Sequence, residues 1–87
     1  MAARLADSED VIDAWVAAEP SDARRASMLH AVIAALENFD DLVAHSPIPG
    51  RSPLTRRIIV TEARLLIDVH LGLPMKVMRI TQIHDSL

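Results

Sequence analysis

Two apolar periodicities divide the chain. From Val11 to Val43 apolar residues recur at helical spacing, whereas from Ile58 to Ile80 they run together or alternate. Val11, Ile12, Trp15 and Val16 form the stripe of a short first helix. Asp7 or Ser8 stands where an N-cap is needed, and Glu9 and Asp10 suit the positive end of the helix dipole. Glu19-Pro20 ends this helix, because the residue before a proline is pushed out of the helical region. Ser21 or Asp22 caps a second helix predicted to run to about His45. Its apolar face is Leu29, Val32, Ile33, Leu36, Phe39 and Val43, with Arg24, Arg25, Glu37, Asp40 and Asp41 on the polar side. Two helices joined by so short a turn are expected to pack antiparallel as a hairpin over residues 7–45.

Residues 46–53, with three prolines and a glycine, read as a loop. Beyond it two readings compete. A helix would be capped by Ser52, start at Pro53 and end at Gly72, but its stripe of Leu54, Ile58, Leu65 and Val69 would include Glu62. Strands suit the local chemistry better. Arg64 to His70 alternates, with Leu65, Ile67 and Val69 on one face, and Ile58-Ile59-Val60-Thr61 is a β-branched run. A turn over Leu71-Gly72-Leu73-Pro74 would then join two strands. The matching register pairs Leu65 with Ile80, Ile67 with Met78 and Val69 with Lys76, sets Arg64 opposite Thr81 and puts Asp68 diagonal to Arg79. The expected fold is a single α+β domain over residues 1–87. In it the helical hairpin covers one face of a three-stranded antiparallel sheet built from residues 54–85. An all-α helical bundle is the alternative.

Composition narrows the function. A chain of 87 residues with only Trp15 and Phe39 aromatic must build its core from Leu, Ile, Val and Ala. Having no cysteine, it has no disulfide, thiolate zinc site or thiol nucleophile. No apolar run reaches membrane-spanning length and no signal-peptide core is visible, so a cytoplasmic protein is expected. The net charge of −3 is unevenly spread. Residues 1–45 carry three arginines against nine acids, whereas residues 46–87 carry six cations against Glu62, Asp68 and Asp85. A basic C-terminal half points either to an acidic partner or to complementarity between the halves within the fold.

Several stretches, taken in order, resemble the ParE/RelE superfamily of toxins from bacterial type II toxin–antitoxin pairs, and most closely its ParE branch. Asp10 to Pro20 is similar to that family's first helix and closing turn. Ala23-Arg24-Arg25 with Ile33 to Leu36 is similar to its second helix, and Pro49-Gly50-Arg51 to the following loop. Arg57 to Val60 and Lys76 to Ile80 are similar to two of its strands. Together these cover almost the whole chain, and the match rests on order and spacing, since none is a sharp motif alone. The family opens with a β-strand, for which only Met1 to Ala6 are available here, so that strand is expected to be short, missing or supplied by a partner. Asp68 stands where a tyrosine is common.

The resemblance implies a protein that inhibits DNA gyrase by binding it and is neutralised by a cognate antitoxin. Arg57, Arg64, Lys76, Arg79 and His84 are the candidates for target contact. Trp15, Leu29, Ile33 and Leu36 are the candidates for an antitoxin helix or strand, which would lie along the helical hairpin or an open sheet edge. A homodimer, or a hetero-oligomer with the antitoxin, is compatible with this. The alternative within the family is a ribosome-dependent endoribonuclease, with the same cations and His84 or His70 as acid or base acting on messenger RNA. The acidic net charge and the absence of tyrosine favour the gyrase branch. A small, non-toxic interaction module is the third possibility. No confident catalytic residue emerges, and neither a cofactor nor a metal is expected. Asp41 and His45 lack a third ligand, and no phosphate loop or nucleophile elbow is present.

Overall fold

Ser8 and Ser21 begin the first two helices in different ways. The Ser21 hydroxyl accepts the Arg24 N–H at 3.2 Å, an ordinary side-chain cap. Ser8 occupies the corresponding position of the first helix, but its buried hydroxyl donates to the Ala6 carbonyl (2.9 Å) and accepts the Ile80 N–H (2.8 Å). The residue expected to cap a helix instead ties that helix to the last strand. The computed structural model describes residues 3–86. Their elements are β1 (Arg4–Leu5), α1 (Glu9–Ala18), α2 (Asp22–Glu37), α3 (Phe39–Ala44), β2 (Thr55–Val60), a 3-10 turn (Thr61–Ala63), β3 (Leu65–Gly72) and β4 (Val77–Asp85). This is an α+β fold, not an all-α bundle.

The sheet has four strands in the order β1-β4-β3-β2. The β2/β3 and β3/β4 pairs are antiparallel, and β1 runs parallel to β4. A first strand therefore does form, only two residues long, with the Arg4 N–H donating to the Lys76 carbonyl (2.9 Å) and the Ala6 N–H to the Met78 carbonyl (3.0 Å). It adds a fourth strand to the three expected. Of the two long helices, α1 lies over β4 and α2 over β2 and the 3-10 turn. Between the helices and the sheet sit Leu65, Ile67, Val69, Leu71, Met78 and Ile80, all fully buried, with Met28, Val32, Phe39 and Leu42 above them.

The helix predicted to reach His45 breaks at Asn38. The Asn38 side chain donates to the Ala34 carbonyl, and α3 starts afresh at Phe39. Met28 and Val32 of α2 point inward, and Phe39 and Leu42 continue from α3, while Leu29 and Ile33 are 45 % and 51 % exposed. The stripe expected through Leu29, Val32, Ile33, Leu36, Phe39 and Val43 was centred off the buried one, which runs through Met28, Val32, Phe39 and Leu42.

The strand register also differs from the expected one. Strand β3 continues to Gly72, and the turn is Leu73-Pro74-Met75-Lys76, with a cis Leu73–Pro74 peptide bond. The observed partners are Val69 with Ile80, Leu71 with Met78, Ile67 with Ile83 and Leu65 with Asp85. A bulge between Asp68 and Val69 leaves Thr81 as the extra residue on β4, its hydroxyl donating to the Asp68 carbonyl at 3.1 Å. The physical reason lies in the apolar spacing of β4. Met78 and Ile80 are two apart but Ile83 is three further on, so only an inserted residue lets all three face the core.

Arg56 is buried on the helix side of β2 with no carboxylate against it. Its guanidinium donates to four carbonyls instead, those of Leu42 (3.1 Å), Val43 (3.0 Å), Pro53 (2.7 Å) and Thr55 (2.8 Å). The first two belong to the last turn of α3, where exposed carbonyls favour a cation. Arg56 thereby pins α3 and the proline-rich loop to the sheet.

Candidate functional site

The helices cover one face of the sheet and leave the other open. Alternation along the strands, offset in β4 by the bulge at Thr81, places Arg57 and Ile59 of β2, Leu66, Asp68 and His70 of β3, and Arg79, Gln82 and His84 of β4 on the open face. Arg4 joins them, because it pairs with Val77 while its neighbour Leu5 packs into the core. The loop after α3 adds Arg51. This face therefore gathers four arginines and two histidines around a single acid.

That acid, Asp68, is fully buried although it lies on the open face. The Arg57 guanidinium grips it in a forked pair, Nε to Oδ1 at 2.8 Å and Nη2 to Oδ2 at 3.2 Å. Arg51 Nη1 donates to Oδ2 at 3.2 Å, and His84 Nε2 lies 3.2 Å from the same oxygen without the alignment of a hydrogen bond. Burial pushes the Asp68 carboxyl up, but Arg57, with a smaller contribution from His84, outweighs it and holds the group below the usual carboxylate value. The Asp68 hydrogen bond in turn raises the Arg57 guanidinium above its ordinary value, against a smaller desolvation effect. Asp68 thus remains charged at neutral pH and holds two arginines, with an imidazole beside them. The guanidiniums of Arg51 and Arg57 still reach solvent, at 44 % and 35 % side-chain exposure.

Three of the five target-contact candidates, Arg57, Arg79 and His84, come together on this face. The other two do not. Arg64 follows the 3-10 turn in the left-handed region (φ 52°), outside β3 rather than opposite Thr81. Lys76 lies in the β3–β4 turn, also at positive φ, with Nζ 3.3 Å from Asp40. Among the described residues neither Arg64 nor Arg79 forms an ion pair with Asp68 or Glu62. His70 lies opposite Arg79. Arg4 and Arg51 were not anticipated: one arrives by a parallel pairing across the whole chain, the other from a loop. The antitoxin-contact candidates divide similarly. Leu29 and Ile33 are exposed on α2, and Leu36 is half-buried against the core. Trp15 is half-buried beneath the Arg24 guanidinium, 6.0 Å from the ring centroid. Arg24 also binds Glu19, Asp85 (2.5 Å) and the Ala63 carbonyl (3.0 Å), so it clamps α1, α2 and the sheet end together.

No protein-family model, curated protein or solved structure matches the chain. What the open face can do follows from its own chemistry. Its cations are presented on a rigid sheet and suit carboxylates or phosphates on a partner. Of its two imidazoles, that of His84 faces Asp68, whereas His70 lies opposite Arg79. Among the described residues no three ligating side chains gather for a metal, and the His45 imidazole lies 2.6 Å from the Asp41 backbone carbonyl. No helix is long and apolar enough to cross a membrane.

Proposed function

We propose that this chain is the toxin of a bacterial type II toxin–antitoxin pair, acting in the cytoplasm by binding DNA gyrase and neutralised by a small antitoxin. The observation that carries the reading is the open sheet face. Arg4, Arg51, Arg57 and Arg79 share it, Arg51 and Arg57 held by one buried acid, in a chain whose net charge is −3. Such a face favours an acidic protein surface and steers its approach. The element order, a short strand, then helices, then three strands, follows the one the ParE/RelE resemblance implies and supports the same reading. Leu29 and Ile33 on α2 and the free edge of β2 are the surfaces offered to an antitoxin.

A ribosome-dependent endoribonuclease is the second reading, favoured by one observation: His84, Arg57 and Arg79 share a face. It is weaker, because Asp68 stands against both Arg57 and His84.

Expression in bacteria with and without the neighbouring small reading frame tests the proposal. Growth arrest relieved by that frame is expected, with accumulated gyrase–DNA cleavage complexes in a purified assay. Cut messenger RNA in a translation mixture would replace gyrase with the ribosome. Unimpaired growth would overturn both toxin readings and leave a small interaction module.

A further inference from the structure

The turn between β3 and β4 carries apolar side chains that the core does not use. Met75, at 75 %, is the most exposed large apolar residue among those described, and Leu73 is 45 % exposed, with exposed Pro74 between them. The turn is held firmly. Lys76 pairs with Asp40 of α3, and its carbonyl accepts the Arg4 N–H. At the same end of the sheet, on the open face, lie Arg4, His70 and Arg79, and neither Arg4 nor Arg79 has an ion-pair partner among the described residues. A rigid apolar point beside unpaired arginines matches the make-up of interface hot spots, where apolar anchors fill pockets and arginines are enriched.

We propose that Leu73-Pro74-Met75 is the anchor by which this face docks onto a folded protein, filling an apolar pocket bordered by carboxylates that meet Arg4 and Arg79. Charge selects the occupant. Unpaired arginines beside the tip call for carboxylates, and the chain's net charge of −3 works against attraction to an anionic bilayer. A nucleic-acid backbone offers nothing to Met75 and Leu73, and the open face carries no aromatic on which a base would stack. The inference rests on the gyrase reading, since it names the part of the surface that makes the contact.

The test is direct binding of the purified chain to purified DNA gyrase, with far-ultraviolet circular dichroism and melting curves for each variant. Leu73→Ser with Met75→Ser is expected to weaken binding about tenfold or more, in the range of a hot-spot loss, with the melting curve unchanged. Arg79→Ala is expected to weaken it about threefold and to flatten its salt dependence. Should the double substitution disturb the melt, Met75→Gln alone replaces it, because it keeps the side-chain length. Wild-type chain that fails to bind gyrase overturns the gyrase reading and this inference together. Wild-type binding that survives loss of both apolar side chains overturns the anchor alone. Binding to phosphatidylglycerol vesicles, abolished by the same substitutions, also overturns it by assigning the tip to a lipid surface.

Discussion

Adjacent residues Arg56 and Arg57 put the same side chain on the two faces of one strand, with opposite consequences. Arg56, under α3, is surrounded by carbonyls and holds the fold together. Arg57, on the open side, meets a carboxylate and keeps part of its guanidinium in solvent. The helix-covered face thus buries a permanent cation among dipoles, whereas the open face buries a titratable anion among cations. Charge serves architecture on one side and display on the other.

The strongest way to break this contrast is Asp68→Ala. It leaves Arg51, Arg57 and His84 facing one another, and about 3 kcal/mol of stability is expected to be lost, read from urea unfolding. The wild-type contribution should also depend on pH. Because the folded carboxyl titrates below its ordinary value of 3.8, the stabilisation is complete above that value. It declines as pH falls from there through the folded value, and Asp68→Asn should flatten that acid limb in unfolding curves measured against pH.

Arg56→Met comes next. It keeps the apolar stem but abandons carbonyls at the end of α3 and in the loop, at a cost of about 2 kcal/mol because water can reach part of that loop. Faster amide exchange confined to α3 and residues 46–53 would confirm that the damage is local. The smallest effect is expected at Ile59, which is 68 % exposed on the open face beside the cluster. Ile59→Ser should change stability by less than about 0.5 kcal/mol. A large loss there would show that the open face carries a packing role and would blur the contrast.

Much of this division was legible in the residues, though unevenly. The alternation of Leu65, Ile67 and Val69 identified the buried face of β3, and with it Asp68 and His70 on the other. Arg57, Arg79 and His84 do share the open face, but strict alternation would set Arg79 and His84 on opposite sides, and only the bulge brings them together. The register was not legible, because a smooth pairing misses a bulge. The uneven spacing of Met78, Ile80 and Ile83 was the available sign of it. Asp68 looked like a cross-strand partner for Arg79, and its true partners Arg51 and Arg57 come from a loop and from β2. Arg4 depended on a parallel pairing between distant parts of the chain. Alternation alone separates Arg56 from Arg57, but nothing local shows that the end of α3 waits above Arg56. Leu29 and Ile33 belong to the apolar face read from the spacing, yet the side of α2 that looks inward is centred on Met28 and Val32, a choice the sheet beneath makes.

The two-residue strand β1 bears on the order in which the molecule is made. Its partners lie on β4, and the Ser8–Ile80 hydrogen bond that secures the same junction joins residues 72 positions apart. During synthesis the first segment leaves the ribosome long before the strand that receives it. The β2–β3 pair can form early, but the N-terminal segment and the start of α1 find their place only after β4 has emerged. Until then the outer edge of the sheet does not exist, and the cationic face lacks Arg4, Arg79 and His84. The nascent protein passes through a stage in which it has helices but no complete surface with which to engage a target.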